Sequence, residues 1–185
     1  LAYVQNRQLQ SIFIGGGTPS LFSANAIKDL LQGVAARIPF ASDIEITLEA
    51  NPGTVEAGRF AGYQQAGVTR ISIGVQSFQP EKLEKLGRIH DPQQAVAAGV
   101  QAKQAGLRSF NIDLMHGLPE QSISDALYDL KQAIDIAPPH LSWYQLTIEP
   151  NTAFGSRPPV LPEDETLWDI QEQGHQLLLE AGYQQ

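Results

Sequence analysis

Glu49 closes an apolar run, Ile44–Glu49, and is followed by Ala-Asn-Pro-Gly-Thr; Asp113 stands inside Phe110-Asn-Ile-Asp-Leu-Met. A carboxylate in such a run must be paired or face a cavity, because burying it alone is costly. Solvation at a strand end, or an ion pair with Arg70 or Arg108, would satisfy either residue singly. Both on the same face point instead to a ligand with hydroxyls or an ammonium group. Gln76 and Ser77 close a third run, and Arg88 lies in Leu86-Gly-Arg-Ile-His. An arginine suits a ligand carboxylate through its two-pronged geometry. Gly15-Gly16-Gly17-Thr18-Pro19-Ser20 follows a strand-like run and precedes a helical one. Three glycines exceed what a tight turn needs; they let backbone approach an anionic or zwitterionic group, with the Thr18 hydroxyl beside it. The spacing is neither a Walker A loop nor G-x-G-x-x-G, so a nucleotide-phosphate assignment fails.

The remaining chemistry-bearing residues are sparser. His90, His116, His140 and His175 form no metal-ligand pattern; His116, in His-Gly-Leu-Pro, is the one to test as a general acid or ligand. Trp143 and Tyr144 read as core. No Ser/His/Asp or Cys/His nucleophile arrangement is present. The chain has no cysteine, hence no disulfide and no thiolate metal site of its own. Its net charge of −8 argues against a nonspecific nucleic-acid binder, which needs a basic surface. No apolar run approaches the roughly 20 residues of a membrane span, and no signal segment opens the chain, so a cytoplasmic protein is expected.

These residues need elements to position them. Strands are expected at Ser11–Gly15, Ile44–Glu49, Arg70–Val75, Arg108–Leu114 and Leu141–Ile148, where β-branched and aromatic residues dominate. Helices are expected from a Ser23 cap to about Arg37, from a Thr54 cap to Ala66, and from Asp91-Pro92 to Gly106. Two more run from the box-like Ser122 to Asp125 start to Ala137, with Leu127, Leu130 and Ile134 in its stripe, and from about Asp164 to Ala181. In the last, Leu167, Ile170, Leu177 and Leu178 should face inward, while residues 1–9 read as the tail of a preceding helix. Arg157-Pro-Pro-Val-Leu-Pro is a connection.

Strands alternating with helices imply a parallel sheet with right-handed crossovers. A doubly wound sheet gathers its ligand at one switch point, whereas here every strand ends in polar or glycine residues, as in a barrel. Those ends are Gly15–Thr18, Glu49 and Asn51, Gln76 and Ser77, Asp113 and His116, and Thr147 and Glu149. Five strands cannot close an eight-stranded barrel. The expectation is therefore α/β, a partial (β/α) TIM-like barrel in one domain spanning 1–185, with a small polar ligand at its C-terminal face.

In order, Ile14-GGGTPS, Glu45-ITLEANPGT, Arg70-ISIGVQSF, Leu86-GRIH, Phe110-NIDLMHGLP and Leu141-SWYQLTIEPNT resemble the radical S-adenosylmethionine (SAM) superfamily. Within it they resemble the oxygen-independent coproporphyrinogen III oxidase-like group, and its heme-chaperone branch above all. The Tyr144-QLTIEPNT segment, the Leu86-GRIH loop and Gly117-Leu-Pro look like that branch rather than the oxidases proper. The resemblance implies a six-stranded partial barrel whose first strand carries a CxxxCxxC loop holding a [4Fe–4S] cluster. It matches from the second strand onward, so the first strand and the cluster cysteines are expected before Leu1. The chain alone is then expected to be inactive, unable to hold the cluster or cleave SAM. The resemblance also implies SAM contacts at Gly16, Gly17, Thr18, Glu49, Gln76, Arg88 and Asp113, with Thr147 as a backbone contact. Heme is the implied cargo and heme-receiving respiratory proteins the implied partners. Radical decarboxylation of coproporphyrinogen III, or a phosphorylated ligand on a different (β/α) enzyme, are the competing functions.

Overall fold

The computed structural model describes residues 4, 6–54, 59–88 and 91–184. Five parallel strands follow one another in sequence order across a single sheet: β1 (Leu9–Ile14), β2 (Phe40–Ala50), β3 (Arg70–Gln76), β4 (Ser109–His116) and β5 (His140–Gln145). A doubly wound sheet would reverse its order at a switch point. This one never does, and it curls as a half-barrel. Helices α1 (Ala24–Ala35), α2 (Arg59–Ala66), α3 (Pro80–Lys85), α4 (Pro92–Gln104), α5 (Ile123–Ile136), α6 (Ala153–Ser156) and α7 (Asp164–Glu180) connect or follow the strands.

Helix starts obey local chemistry. Ser23 accepts from the Ala26 N–H at the start of α1. Asp91 and Gln94 form a complete capping box at α4, with Pro92 in the first turn. Ser122 and Asp125 do the same at α5, whose last residue gives way to Ala137 in the left-handed region (φ 52°) before Pro138-Pro139. In α7, Ile170 and Gly174 are buried, with Leu167, Leu177 and Leu178 half-buried. A Cβ on Gly174 would lie 2.0 Å from Trp143 Cη2, so the helix backbone itself rests on that indole.

Several boundaries differ from the sequence expectation. Leu9 opens β1, its N–H donating to Pro39 O, so a preceding helix does not reach it; residues 1–3 and 5 lie outside the described residues. β2 begins at Phe40, ahead of Ile44, and β5 stops at Gln145, three residues before Ile148. Pro52–Thr54 forms a single 3-10 turn, and the start of the helix expected from Thr54 lies outside the described residues. α3 follows Gln79-Pro80 and was not expected; six residues are too few to show a helical period.

Facing sides of the sheet differ in kind. Toward the helices point Ile46 and Leu48, Ile71, Ile73 and Val75, and Phe110, Ile112 and Leu114, all in one buried cluster. The alternate positions Arg70, Ser72 and Gly74, Asn111 and Asp113, and Ser142 and Tyr144 line a cavity of about 510 Å³ in the hollow of the sheet. Because side chains alternate along a strand, a single apolar core on the outside leaves the inside free for polar groups. No helix among the described residues is long and apolar enough to cross a membrane.

Candidate functional site

The glycine loop leaves β1 with Gly16 and Gly17 in the left-handed region (φ 82° and 60°). Gly16 N–H donates to Glu49 Oε2 at 2.9 Å, so the loop grips the carboxylate at the end of β2. Gly15 permits that grip: a Cβ there would come within 2.9 Å of Glu49 Oε2. The far side of the loop is pinned by Tyr63 of α2, buried, whose hydroxyl donates to the carbonyls of Ser20 and Phe22 at 2.7 and 2.8 Å. Arg59 also donates to Ser20 O. A Gly15→Ala substitution is expected to push the Glu49 carboxylate off the Gly16 amide and weaken ligand binding at least tenfold (about 1.4 kcal/mol) with little change in melting temperature. Calorimetry beside thermal denaturation separates the two effects.

β3 supplies Gln76, which sits at φ 67° where the β3–β4 register shifts. Its side chain folds back over Gly74, and its Oε1 accepts from the Tyr144 hydroxyl at 3.1 Å. Burial, then the nearby Asp113 carboxylate, raises the Tyr144 hydroxyl above its ordinary pKa, keeping it a donor. The turn after Gln76 is held from beneath by Asp129 of α5. Asp129 Oδ2 accepts from Ser77 Oγ at 2.7 Å and Oδ1 from Phe78 N–H at 2.8 Å, with both Ser77 and Asp129 fully enclosed. Arg88, just past α3, donates to Asn51 Oδ1 at 3.3 Å.

Asp113 on β4 is oriented by two donors, Ser72 Oγ at 2.7 Å and Asn111 Nδ2 at 2.8 Å. Asn111, 1% exposed, is saturated: Nδ2 also donates to Ser72 Oγ, and Oδ1 accepts from Ser142 Oγ and His140 Nδ1. That amide orientation fixes the proton on His140 Nδ1. The carboxylate therefore stands on a hydrogen-bonded pedestal reaching across β3, β4 and β5.

Of the sequence-derived site residues, Gly17, Glu49, Gln76, Arg88 and Asp113 all line this cavity in the hollow. Gly16 joins it through Glu49, and Thr18 sits between the lining residues Gly17 and Pro19. Thr147 lies beyond β5, exposed, its hydroxyl donating to Glu149 Oε1; it does not line the cavity. Asn51, one of the expected polar strand ends, lines it too. Ser72, Asn111, Ser142 and Tyr144 were missed as site residues, although polar residues at every second strand position are a readable signal. Tyr144 is 44% exposed in the hollow rather than core. His90 lies outside the described residues.

His116 is on the other side of the sheet. It is buried and packs at a tilt against Trp143 (ring centroids 4.3 Å), which meets His175 of α7 edge-on with centroids 6.0 Å apart. Burial, and secondarily the His175 charge, pushes its pKa down to about 4. The folded chain thus holds His116 neutral, whereas an unfolded chain protonates it near 6.5. The stability this supplies is complete above pH 6.5 and is lost as pH falls toward 4. Urea midpoints at pH 7 and pH 5 should differ less in His116→Phe than in the unsubstituted chain.

The donor set suits SAM. Gly17 lines the hollow with nothing within 4 Å of where a Cβ would stand, two carboxylates can meet an ammonium and ribose hydroxyls, and Arg88 can meet a carboxylate. An iron–sulfur cluster finds no such fit here: the chain has no cysteine, and no grouping of His, Cys, Asp or Glu among the described residues could hold a metal.

A parallel half-barrel with an apolar outside, and polar strand ends converging on one hollow, defines a (β/α) scaffold whose C-terminal rim offers groups suited to a small zwitterionic ligand. Residues 1–131 match the radical SAM superfamily, and the chain belongs to that superfamily. It is 70% identical over its whole length to the heme chaperone HemW of Escherichia coli, covering 49% of that protein. It is 64% identical over 98% of its length to HemW of Haemophilus influenzae, covering 48% of it. The chain thus spans about half the length of these relatives. Among solved structures, the E. coli coproporphyrinogen III oxidase HemN, a radical SAM enzyme, superposes with a TM-score of 0.87 at 29% identity, over 96% of this chain and 42% of that one.

Proposed function

We propose that residues 1–185 form one SAM-binding domain of a cytoplasmic heme chaperone, which binds heme and delivers it to respiratory proteins with SAM and a [4Fe–4S] cluster in support. The observation that carries the SAM assignment is the convergence of Gly17, Glu49, Gln76, Arg88 and Asp113 on one hollow. The chaperone assignment is supported by 70% and 64% identity to proteins of that description, against 29% to the oxidase. SAM, when bound, supplies a sulfonium whose carbon–sulfur bond is open to reductive cleavage. The residues of this chain act on its polar ends. Arg88 holds the carboxylate. Glu49 and Asp113 take the ammonium and hydroxyl groups, each prevented from turning by its own backbone or side-chain donors. Tyr144 and Gln76 brace one another across the hollow and narrow it against water.

The test uses this chain at its relatives' full length with the cluster reconstituted. Heme should bind stoichiometrically by absorbance titration and transfer to an apo-acceptor, with no conversion of coproporphyrinogen III. Turnover of coproporphyrinogen III to protoporphyrinogen IX would replace the chaperone reading with the oxidase.

A further inference from the structure

Arg70 opens β3 at the floor of the hollow, four residues below Gly74, roughly 13 Å at the ordinary strand rise. It is half-buried and lines the cavity, yet among the described residues it makes no ion pair with any carboxylate. Among the described residues its guanidinium makes one hydrogen bond, a long one, Nη1 to Thr47 Oγ1 at 3.5 Å. A guanidinium carries five donors, and a partly buried charge left without a counter-charge is unfavourable. Its neighbours offer no competing recognition. The Thr47 hydroxyl donates to Glu45, that of Ser72 to Asp113 and that of Ser142 to Asn111, while the Asn111 amide is saturated. Among the described residues of this floor, the side-chain donors left without a close partner are therefore those of Arg70.

We propose that the floor of the half-barrel is a second subsite, in which Arg70 receives the carboxylate of a small ligand separate from the one held at the rim. A monoanion fits better than a phosphate, because Glu49 and Asp113 line the same hollow and Glu45 lies beside Thr47. A flat, singly charged carboxylate matches the fork of the guanidinium. The subsite goes beyond the rim assignment and does not require it.

The experiment follows the Arg70 Nε–H resonance in the full-length, cluster-loaded protein while propionate is added, with and without saturating SAM, and repeats the titration with inorganic phosphate. Propionate should give a saturable shift, undiminished by SAM and stronger than that from phosphate. Arg70→Gln should weaken propionate binding at least tenfold, Arg70→Lys should weaken it less, and neither should move SAM affinity more than twofold. An Arg70 resonance that does not respond, propionate binding unchanged in Arg70→Gln, competition by SAM, or a preference for phosphate would each overturn the proposal. Because the resonance is read in the unsubstituted protein, misfolding of a variant cannot mimic failure. Failure of SAM to bind, with the propionate response intact, would remove the rim assignment and leave this one standing.

Discussion

Asp113→Ala in the cluster-loaded, full-length protein is expected to weaken SAM binding by about 30-fold to about 1,000-fold, the 2–4 kcal/mol typical of removing one partner from a desolvated charge contact. The size follows from how little freedom the carboxylate has. Ser72 and Asn111 aim it into the hollow, and Asn111 is itself locked by Ser142 and His140. A ligand meeting Asp113 orders almost nothing that is not already ordered, so the contact keeps most of its energy. Removal also strands the Ser72 hydroxyl and one Asn111 N–H without an acceptor. Asn111→Ala should retain the charge, release its orientation and weaken SAM binding by a smaller factor, about tenfold. Calorimetry on both variants orders the effects; an Asp113→Ala protein with unchanged SAM affinity would remove the site.

The second large effect is at Asp129. Asp129→Ala is expected to cost about 3 kcal/mol of stability, since it leaves the Ser77 hydroxyl and the Phe78 N–H buried without an acceptor. It should also loosen SAM binding at a distance, because those two bonds hold the turn that keeps Gln76 in the left-handed region, unfavourable for a residue with a Cβ. Asp129→Asn keeps an acceptor for Phe78 and should lose less on both counts. Burial raises Asp129 to about 6 from the ordinary 3.8, against the opposing pull of its hydrogen bonds. The folded chain therefore holds the proton more tightly than the unfolded one. This contribution to stability is complete below pH 3.8 and disappears as pH rises through 6, up to about 3 kcal/mol at roughly 1.4 kcal/mol per tenfold in proton affinity. Chemical denaturation at pH 4 and pH 7 should show unsubstituted protein losing stability relative to Asp129→Asn over that range.

The five strands were legible because each has an apolar, β-branched body and a polar terminus, and the caps Ser23, Asp91 and Ser122 form as their residue types require. That Glu49, Gln76, Arg88 and Asp113 would gather at one face was legible from chemistry and resemblance together. His116 closes β4 as a polar strand end but faces away from the hollow by strand parity: it shares the phase of Phe110, Ile112 and Leu114, which face the helices, and opposes that of Asn111 and Asp113. Asp129 was hidden in the apolar stripe of α5, next to Leu130, where only the tertiary placement of Ser77 and Phe78 explains a carboxylate. Tyr63 likewise gives no local sign of its role, being one aromatic in a short helix. Its role as a clasp depends on carbonyls some forty residues away in the chain.

The strictly sequential strand order bears on how the molecule is made. Each new strand finds its partner in the one completed immediately before it, so no segment must wait for a distant stretch still to be synthesised. Each closure spans one strand–helix unit rather than the whole chain, which limits its entropic cost. These five strands can then add in chain order as they leave the ribosome, with the glycine loop gripped by Glu49 before the pedestal under Asp113 exists.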